Sequence, residues 1–363
     1  MHVLLSSGVA GRVFPGASCS MVWKAGTKVR DAAAVAGRLS SDSGAVEADT
    51  LYDLHDLTQV WTSTLGLMAA EGKIVDLARK VDELLPEIQG KGFQVPTIRD
   101  ALEGAGRLPR WGALFLDLPH APASAAAKRW MLVEAARRGD APHEDTSHFS
   151  ELAYLLAGEA LARACDEHLG TLFQKWIAGP FGVSKDALNF NPPNQPRRRT
   201  LDVRKMAPTE RCEWRGRIVV SESLDENATV FGGVAGHAGL FGTASAAAAL
   251  GALWLDALAG KHSELPRKRV EEVRALVARK GLGYGWYHLK HEDSRVGDVL
   301  SPNSFGRTSI TGSALWLDPE RQLAIALLDN AIHPTRANRR IDGFLPDFFD
   351  RVIRLFDATH GED

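Results

Sequence analysis

The two ends of the chain carry apolar residues in a strand-like pattern. Residues 17–24 and 29–37 predict two strands, and Ala25–Gly26–Thr27 between them predicts the turn of a β-hairpin. Residues 318–321 predict a tight turn near the other end. Three segments of the last third also predict strands: 283–290, 307–317 and 322–329. Strands are therefore expected at both ends of the chain.

The middle of the chain has the spacing of helices. Residues 56–71 are the clearest case, because their apolar residues recur every three or four positions and Gly72 follows the last turn. Further predicted helices span 121–138, 149–169, 244–259, 267–279 and 338–356, and residues 98–110 predict a short helix that leads into a loop at Gly104–Gly106. Helices between two groups of strands predict an α+β fold whose terminal segments share one antiparallel sheet.

Composition excludes several classes of protein. The 363 residues contain 43 Lys and Arg against 45 Asp and Glu, so the chain has no overall positive charge for binding nucleic acid. Hydrophobic residues make up 45% and charged residues 24%, which indicates a folded globular protein and not a disordered one. The basic run Arg197–Arg199 lies in an irregular stretch, and we interpret it as a solvated loop.

The sequence also lacks targeting and cofactor signals. It has no run of about 18 uncharged apolar residues, and no Lys or Arg precedes the short apolar segment Val3–Leu5. We therefore expect no integral membrane segment and a cytoplasmic location. Cys19, Cys165 and Cys212 are odd in number and far apart, so they offer neither a disulfide framework nor a metal-binding motif. We predict no metal and no cofactor.

Several ordered blocks of sequence carry a family resemblance between residues 14 and 356. These blocks are Thr50–Thr62, Ala70–Leu77, Thr97–Pro109, Asp225–Phe241 and Gly306–Leu317. Together they resemble the serine β-lactamase and penicillin-binding-protein family, and specifically its class C β-lactamase and esterase branch. The resemblance implies a β-lactamase/transpeptidase-like fold with an antiparallel sheet flanked by helices and an all-helical lobe. We expect one domain, 1–363, with an α/β lobe at about 1–55 and 240–363 and a mostly helical lobe at about 56–239.

The first catalytic motif of that family is altered here. Family enzymes place a nucleophilic Ser at a helix start and a Lys three residues later on the same face. The matching positions are Asp56 and Gln59. A carboxylate has no hydroxyl to become an alkoxide, and Gln cannot accept a proton at neutral pH.

The other two motifs are altered as well. The family's Tyr-x-Asn corresponds to Phe149–Ser150–Glu151, where the phenol hydroxyl is missing. Its Lys/His-Thr-Gly corresponds to Arg307, Thr308 and Ser309, so only the Thr remains. Random drift would also have damaged the scaffold blocks, which are intact. The pattern therefore predicts a fold retained without its reaction.

We accordingly predict a pseudoenzyme, a non-catalytic protein that acts in the cytoplasm by binding or scaffolding. Its partner, an unidentified protein or small-molecule ligand, is expected at the former active-site cleft. The alternative is a β-lactamase-related hydrolase, such as an esterase, amidase or transferase, with a rearranged active site. In that case Asp56, Glu151 and Arg307 would be its main participants.

Asp56 has three possible roles. With Gln59 it has the spacing of a capping box, which would stabilise the helix that starts there. It could instead form an ion pair with Arg307 across the cleft and fill the pocket. A catalytic carboxylate oriented by His55 or Arg307 is the third possibility.

We expect His237, in the Gly-His-Ala-Gly block, to be structural.

Overall fold

The computed structural model describes residues 1–90, 95–104, 108–140, 149–192 and 201–360. Its strands are β1 (Gly16–Ala25), β2 (Lys28–Gly37), β3 (Tyr52–Asp53), β4 (Leu188–Phe190), β5 (Arg211–Cys212), β6 (Arg217–Ile218), β7 (Leu240–Gly242), β8 (Leu282–Gly283), β9 (Trp286–His288), β10 (Phe305–Thr308), β11 (Ala314–Asp318) and β12 (Leu323–Asp329). Its α-helices are α1 (His2–Ala10), α2 (Thr58–Glu71), α3 (Ile98–Leu102), α4 (Ala125–Arg137), α5 (Glu151–Ala164), α6 (Leu169–Phe173), α7 (Glu226–Phe231), α8 (Ala244–Leu258), α9 (Arg267–Lys280) and α10 (Arg340–His360). The run Arg197–Arg199 lies outside the described residues.

The main sheet joins the two ends of the chain. Its strands follow the order β2-β1-β12-β11-β10-β9-β8, and every neighbouring pair is antiparallel. β1 and β12 pair at the centre, with Ala17 opposite Asp329 and Trp23 opposite Leu323. The predicted α+β fold with a shared terminal sheet is therefore confirmed.

Helices cover both faces of this sheet. On one face, Trp254 of α8 packs against Trp286 of β9, with ring centroids 5.2 Å apart, and against Phe305 of β10. Side chains alternate between the faces along each strand, so Trp23 of β1 points to the other side. There its ring meets Phe356 of α10 edge-on at 5.7 Å. The sheet is consequently buried between two helical layers.

The remaining helices pack around α2 and α5. α2 is buried along Thr58–Ala69, and α5 contacts α2, α3, α4 and α6. One connected cluster of buried apolar side chains includes residues of both this helical part and the sheet. The proposed division into lobes at 56 and 239 stays a prediction.

Among the described residues, no helix has the length and apolar character needed to cross a membrane.

The short helix predicted from residue 98 is confirmed as α3, which begins with a capping box between Thr97 and Asp100 and ends before Gly104, whose φ is +81°. Residues 105–107 of the loop predicted after it lie outside the described residues. Two predicted strands differ from the structure. The segments 283–290 and 307–317 each form two strands, β8 with β9 and β10 with β11, because the chain turns back within each segment. The amino-terminal hairpin and the helices predicted at 244–259, 267–279 and 338–356 are confirmed within a few residues.

The close contact of Gly236 with α5 yields a stability prediction. A Cβ at Gly236 would lie 2.2 Å from the Tyr154 carbonyl oxygen, so Gly236→Ala must displace backbone. We expect this change to lower the free energy of unfolding by about 1–3 kcal/mol, measured by urea titration. Gly343→Ala is the matched control, because Gly343 lies in α10 with no atom within 4 Å. The control should be neutral or stabilising by up to about 1 kcal/mol, and equal losses in both variants would contradict this account.

Candidate functional site

The residues at the altered motif positions come together where three elements meet. The 3-10 turn His55–Leu57 leads into α2, β10 lies beside it, and the amino terminus of α5 closes the group. The side chains brought together in this way are those of Asp56, Gln59, Phe149, Glu151, Arg307 and Ser309. The side chains of Asp56, Gln59 and Arg307 are all buried.

Asp56 is held by four groups. Its Oδ2 accepts hydrogen bonds from the Ile310 backbone N–H at 3.0 Å and from the Ser309 hydroxyl at 3.4 Å. Its Oδ1 lies 3.2 Å from His55 Nδ1 and 3.9 Å from Arg307 Nη2. The predicted contact between Asp56 and Arg307 is therefore present, and the Asp56 side chain is only 8% exposed.

The predicted capping box between Asp56 and Gln59 is wrong. Leu57 is the N-cap of α2, and no side chain caps this helix. Gln59 Oε1 instead accepts a hydrogen bond from Arg307 Nη2 at 3.1 Å. The physical reason is that residues 55–57 form a 3-10 turn, with His55 at φ +43°, which directs the Asp56 carboxylate toward the β10 side of the site.

Arg307 is enclosed by two aromatic rings. Its guanidinium carbon lies 4.7 Å from the ring centre of Phe149 and 4.4 Å from that of Tyr287. Its Nε and Nη1 have no hydrogen-bond partner within the described part of the chain. The ring faces, together with Asp56, therefore compensate for the lost hydration of the cation.

Thr308, the one motif residue shared with the family, faces away from this group. Its hydroxyl donates to the Ser294 carbonyl at 2.5 Å and accepts from the Trp316 indole N–H at 3.1 Å. Alternation along β10 explains the difference, since Arg307 and Ser309 lie on the side opposite Thr308. Ser150 is likewise structural, because its hydroxyl caps α5 and donates to the Pro109 carbonyl.

A second set of buried polar groups adjoins the first. Asp53 accepts hydrogen bonds from the backbone N–H groups of His55 and Leu224, and this links the turn before α2 to the start of α7. Asp225 caps α7 and lies 3.0 Å from His237 Nε2. His237 therefore has the structural contact expected for it. The charges of Asp56 and Asp225 act on Glu151. Its Oε2 is buried and has no hydrogen-bond partner among the described residues.

Burial and neighbouring charges set the protonation states of His55 and Asp56. For His55, burial disfavours the cation, but the Asp56 carboxylate outweighs burial and raises the pKa of His55 to about 10. For Asp56, burial disfavours the anion, but His55 and Arg307 outweigh it and lower the pKa of Asp56 well below its usual range. At neutral pH the two side chains form a buried ion pair.

Glu151 and Asp225 differ in their protonation states. Burial, with Asp225 and Asp56 nearby, raises the pKa of Glu151 to about 8. Burial opposes ionisation of Asp225 too, but His237 and His55 lower the pKa of Asp225 to about 2. Glu151 is therefore mostly protonated at neutral pH, whereas Asp225 is a carboxylate.

Two groups of side chains have the composition of metal ligands. Glu151, Asp225 and His237 each offer one ligand atom, all within 4.8 Å of one another, and so do Glu210, Cys212 and Glu226. In the first group His237 already contacts Asp225. In the second, Arg336 already pairs with both glutamates, at 2.5 and 2.8 Å. Bonds inside each group would have to break before a cation could bind.

The sequence analysis did not identify Tyr287 or Asp225 as neighbours of the motif residues. Tyr287 lies in a segment predicted as a strand, but β9 pairs it with Gly306, so alternation alone does not place it beside Arg307. Asp225 lies in a recognised block, but no local pattern relates it to Glu151, which is 74 positions away in the chain. Only the packing of α5 and α7 into one region brings them together.

Comparison with known proteins identifies the family. A family model described as β-lactamase matches residues 4–344. This chain belongs to the β-lactamase family. A predicted D-alanyl-D-alanine carboxypeptidase of Escherichia coli O157:H7 is 24% identical over 339 residues, which cover 86% of this chain and 75% of that protein.

Solved structures agree on the fold of this β-lactamase-family chain. The class C β-lactamase from Rhodobacter sphaeroides superimposes with a TM-score of 0.67 at 15% identity, over 98% of each chain. EstCE1, a hydrolase with promiscuous acyltransferase activity, gives 0.68 at 16% identity over 94% of this chain and 96% of its own. The β-lactamase/transpeptidase-like α+β fold is therefore confirmed.

Removing the Arg307 guanidinium should lower the free energy of unfolding, because the Asp56 carboxylate would stay buried without it. Arg307→Met keeps an apolar side chain between the rings but leaves Asp56 without the guanidinium, so we expect a loss of about 3–5 kcal/mol in the free energy of unfolding. Asp56→Asn added to Arg307→Met should recover at least about 1 kcal/mol, because the two positions interact. Urea unfolding of both single variants and the double variant gives the coupling energy, and strict additivity would contradict the ion pair.

The raised pKa of Glu151 predicts a pH-dependent stability difference. The unfolded chain ionises Glu151 near the ordinary glutamate pKa of 4.5, whereas the folded chain does so near 8, so wild-type stability falls as pH rises between these values. Glu151→Gln lacks this loss. We expect the variant to gain at least about 1 kcal/mol relative to wild type between pH 5 and pH 8.5.

Thermal or urea unfolding at the two pH values measures this gain. Glu213→Gln is the matched control, because Glu213 is exposed and the substitution removes the same formal charge. A gain of equal size in the control would show that net charge, and not the buried site, causes the effect.

Proposed function

We propose that this β-lactamase-family chain forms no acyl-enzyme and acts by binding, as a pseudoenzyme. The observation that supports this most directly is the occupation of the nucleophile position by the Asp56 carboxylate. That carboxylate already contacts the Ile310 N–H, the Ser309 hydroxyl, His55 and Arg307. It has no proton-bearing oxygen to convert into an alkoxide.

The neighbouring groups support the same proposal. Gln59 stands at the position of the family's Lys and cannot take up a proton at neutral pH. Phe149 supplies a ring but no hydroxyl. Ser309 is the hydroxyl next to Asp56, yet Asp56 is a poor general base because its pKa is lowered, and the Ser309 side chain is completely buried.

A hydrolase with a rearranged active site is the second candidate. The relatives favour it, since those compared above carry names of carboxypeptidases, β-lactamases and hydrolases. Within the site, the observation that favours it is the contrast between ionised Asp56 and mostly protonated Glu151, because enzymes use such pairs as base and acid. Catalysis by these groups would require an opening that admits substrate to buried side chains.

The predicted partner at the former active-site cleft and the predicted cytoplasmic location stay predictions. A ligand at the cleft would have to contact Asp56 or Arg307, and both are already engaged within the protein. We therefore propose that binding uses a surface outside the motif positions.

Covalent labelling tests the proposed function. Purified protein is incubated with a fluorescent penicillin and with a fluorophosphonate, and intact mass is recorded. Turnover of p-nitrophenyl acetate is measured in parallel. We expect no mass increase and a turnover equal to that of Asp56→Ala. A covalent adduct, or turnover that depends on Asp56, would refute the pseudoenzyme and favour the hydrolase.

A reconstructed motif supplies the positive control. The fourfold variant Asp56→Ser, Gln59→Lys, Phe149→Tyr and Arg307→Lys restores the chemical groups of the family. Its matched partner carries Asp56→Ala with the same three other changes, so the two differ by one hydroxyl. Labelling of the first and not of the second would demonstrate that the fold still admits the reagents and that the natural side chains prevent acylation.

A further inference from the structure

A large cavity lies at a different place from the altered motif residues. Its volume is about 1340 Å³, and none of the motif positions lines it. Its walls come from five parts of the chain: the end of α1, the loop after β2, the segment around Val203–Pro208, the strands β5 and β6, and the loop between β12 and α10. The cavity is larger than the range of about 300–1,000 Å³ that is usual for small-molecule sites.

Arginines dominate the charged residues of this cavity. Six arginines line it, and Asp42 is the one acidic residue among the lining residues. The six are Arg12, Arg38, Arg204, Arg211, Arg339 and Arg340. This local excess of positive charge contrasts with the whole chain, whose formal net charge is −2.

Four of these arginines have no acidic partner among the described residues. Arg204 pairs with Asp202, and Arg339 pairs with Asp342. In the described part of the chain, no carboxylate lies within 4 Å of the other four, which are Arg12, Arg38, Arg211 and Arg340. Like charges held around one cavity repel each other, and an anion in the cavity would remove that repulsion.

Hydrogen bonds hold the cavity walls in place, and two of the four guanidinium groups take part: Arg38 donates to the Ser43 carbonyl and Arg340 to the Arg12 carbonyl. The Arg211 backbone N–H donates to the Pro334 carbonyl at 2.8 Å, and His333 Nδ1 contacts the Thr209 carbonyl at 2.8 Å. Asn338 Nδ2 donates to the Val13 carbonyl at 2.9 Å. These contacts tie the loop after β12 to β5 and to the segment after α1, so the arginines project from a connected framework.

The interior of the cavity is apolar. Phe14, Leu39 and Met206 line it and are buried, with exposed fractions of 2%, 7% and 2%. The basic side chains lie at exposed positions around these residues. The cavity therefore combines a cationic rim with an apolar floor, which suits a ligand that has an anionic part and an apolar part.

We propose that this cavity binds a small molecule that carries two or more phosphate groups on an organic body. Guanidinium groups present paired N–H donors that match phosphate oxygens. Four of them have no carboxylate partner among the described residues, and Arg12 and Arg211 have all their side-chain donors available, so the cavity provides for more than one phosphate. The organic body would lie on Phe14, Leu39 and Met206. This site is independent of the loss of acylation, so either proposal can fail without the other.

Calorimetric titration with two probes tests the proposal. Inorganic tripolyphosphate represents the anionic part, and adenosine triphosphate adds an organic body. Wild type is compared with Arg12→Ala/Arg211→Ala, two arginines whose side chains make no hydrogen bond or ion pair in the described structure. Arg267→Ala/Arg351→Ala removes the same charge from two exposed arginines outside the cavity.

We expect saturable binding of both probes with a stoichiometry of one, tighter for adenosine triphosphate. The Arg12/Arg211 double variant should bind at least about tenfold more weakly, and the control double variant should match wild type. Thermal unfolding checks that both double variants remain folded. Added salt should weaken tripolyphosphate binding, because the contacts are ionic.

Three results would overturn the proposal. The first is no saturable binding of either probe to wild type. The second is equal weakening in the two double variants, which would indicate a general charge effect. The third is binding that depends on Arg12 and Arg211 for a single-stranded RNA or for vesicles containing phosphatidylserine, but not for the two phosphate probes. That result would assign the surface to a macromolecule or a membrane.

Discussion

The guanidinium of Arg307, held between two aromatic rings and beside a buried carboxylate, determines the state of the altered site. A buried cation is costly unless its charge and its donors are met. Here Asp56 meets the charge, Gln59 accepts one N–H, and the faces of Phe149 and Tyr287 cover the rest. A family Lys at the position of Gln59 would instead add a third cation to Arg307 and the protonated His55.

The altered positions are chemically consistent with one another. Replacing a phenol by Phe149 removes a hydroxyl that would otherwise need a partner beside Arg307. Ser309 adds a hydroxyl that reaches Asp56, and the turn after β10 adds the Ile310 N–H. Each change supplies a contact that another change requires. Such mutual support differs from a set of independent losses, while Gln59 Nε2 and Arg307 Nε and Nη1 are left without a hydrogen-bond partner among the described residues.

The second group of carboxyl side chains shows how a fold can keep polar residues without a reaction. Asp225 caps α7 and contacts His237, and Asp53 links two loops through backbone N–H groups. Glu151 is mostly protonated at neutral pH because burial and, after it, the negative charges of Asp225 and Asp56 raise its pKa. Most polar atoms of this group have a structural partner; Glu151 Oε2 and His237 Nδ1 have none among the described residues.

Local patterns along the chain were enough to predict several elements, and the ordered blocks were enough to predict the family. The hairpin at 17–37, the helices α8, α9 and α10 and the altered motif positions all follow from residues close in sequence. The direction of the Asp56 side chain could not be predicted in this way, because a capping box and a contact with β10 have the same local pattern. Contacts between distant segments distinguish the two, since Ile310 and Arg307 lie beside the turn. The basic cavity is likewise a tertiary property, since its arginines are scattered from position 12 to position 340 and an overall charge near zero conceals their convergence.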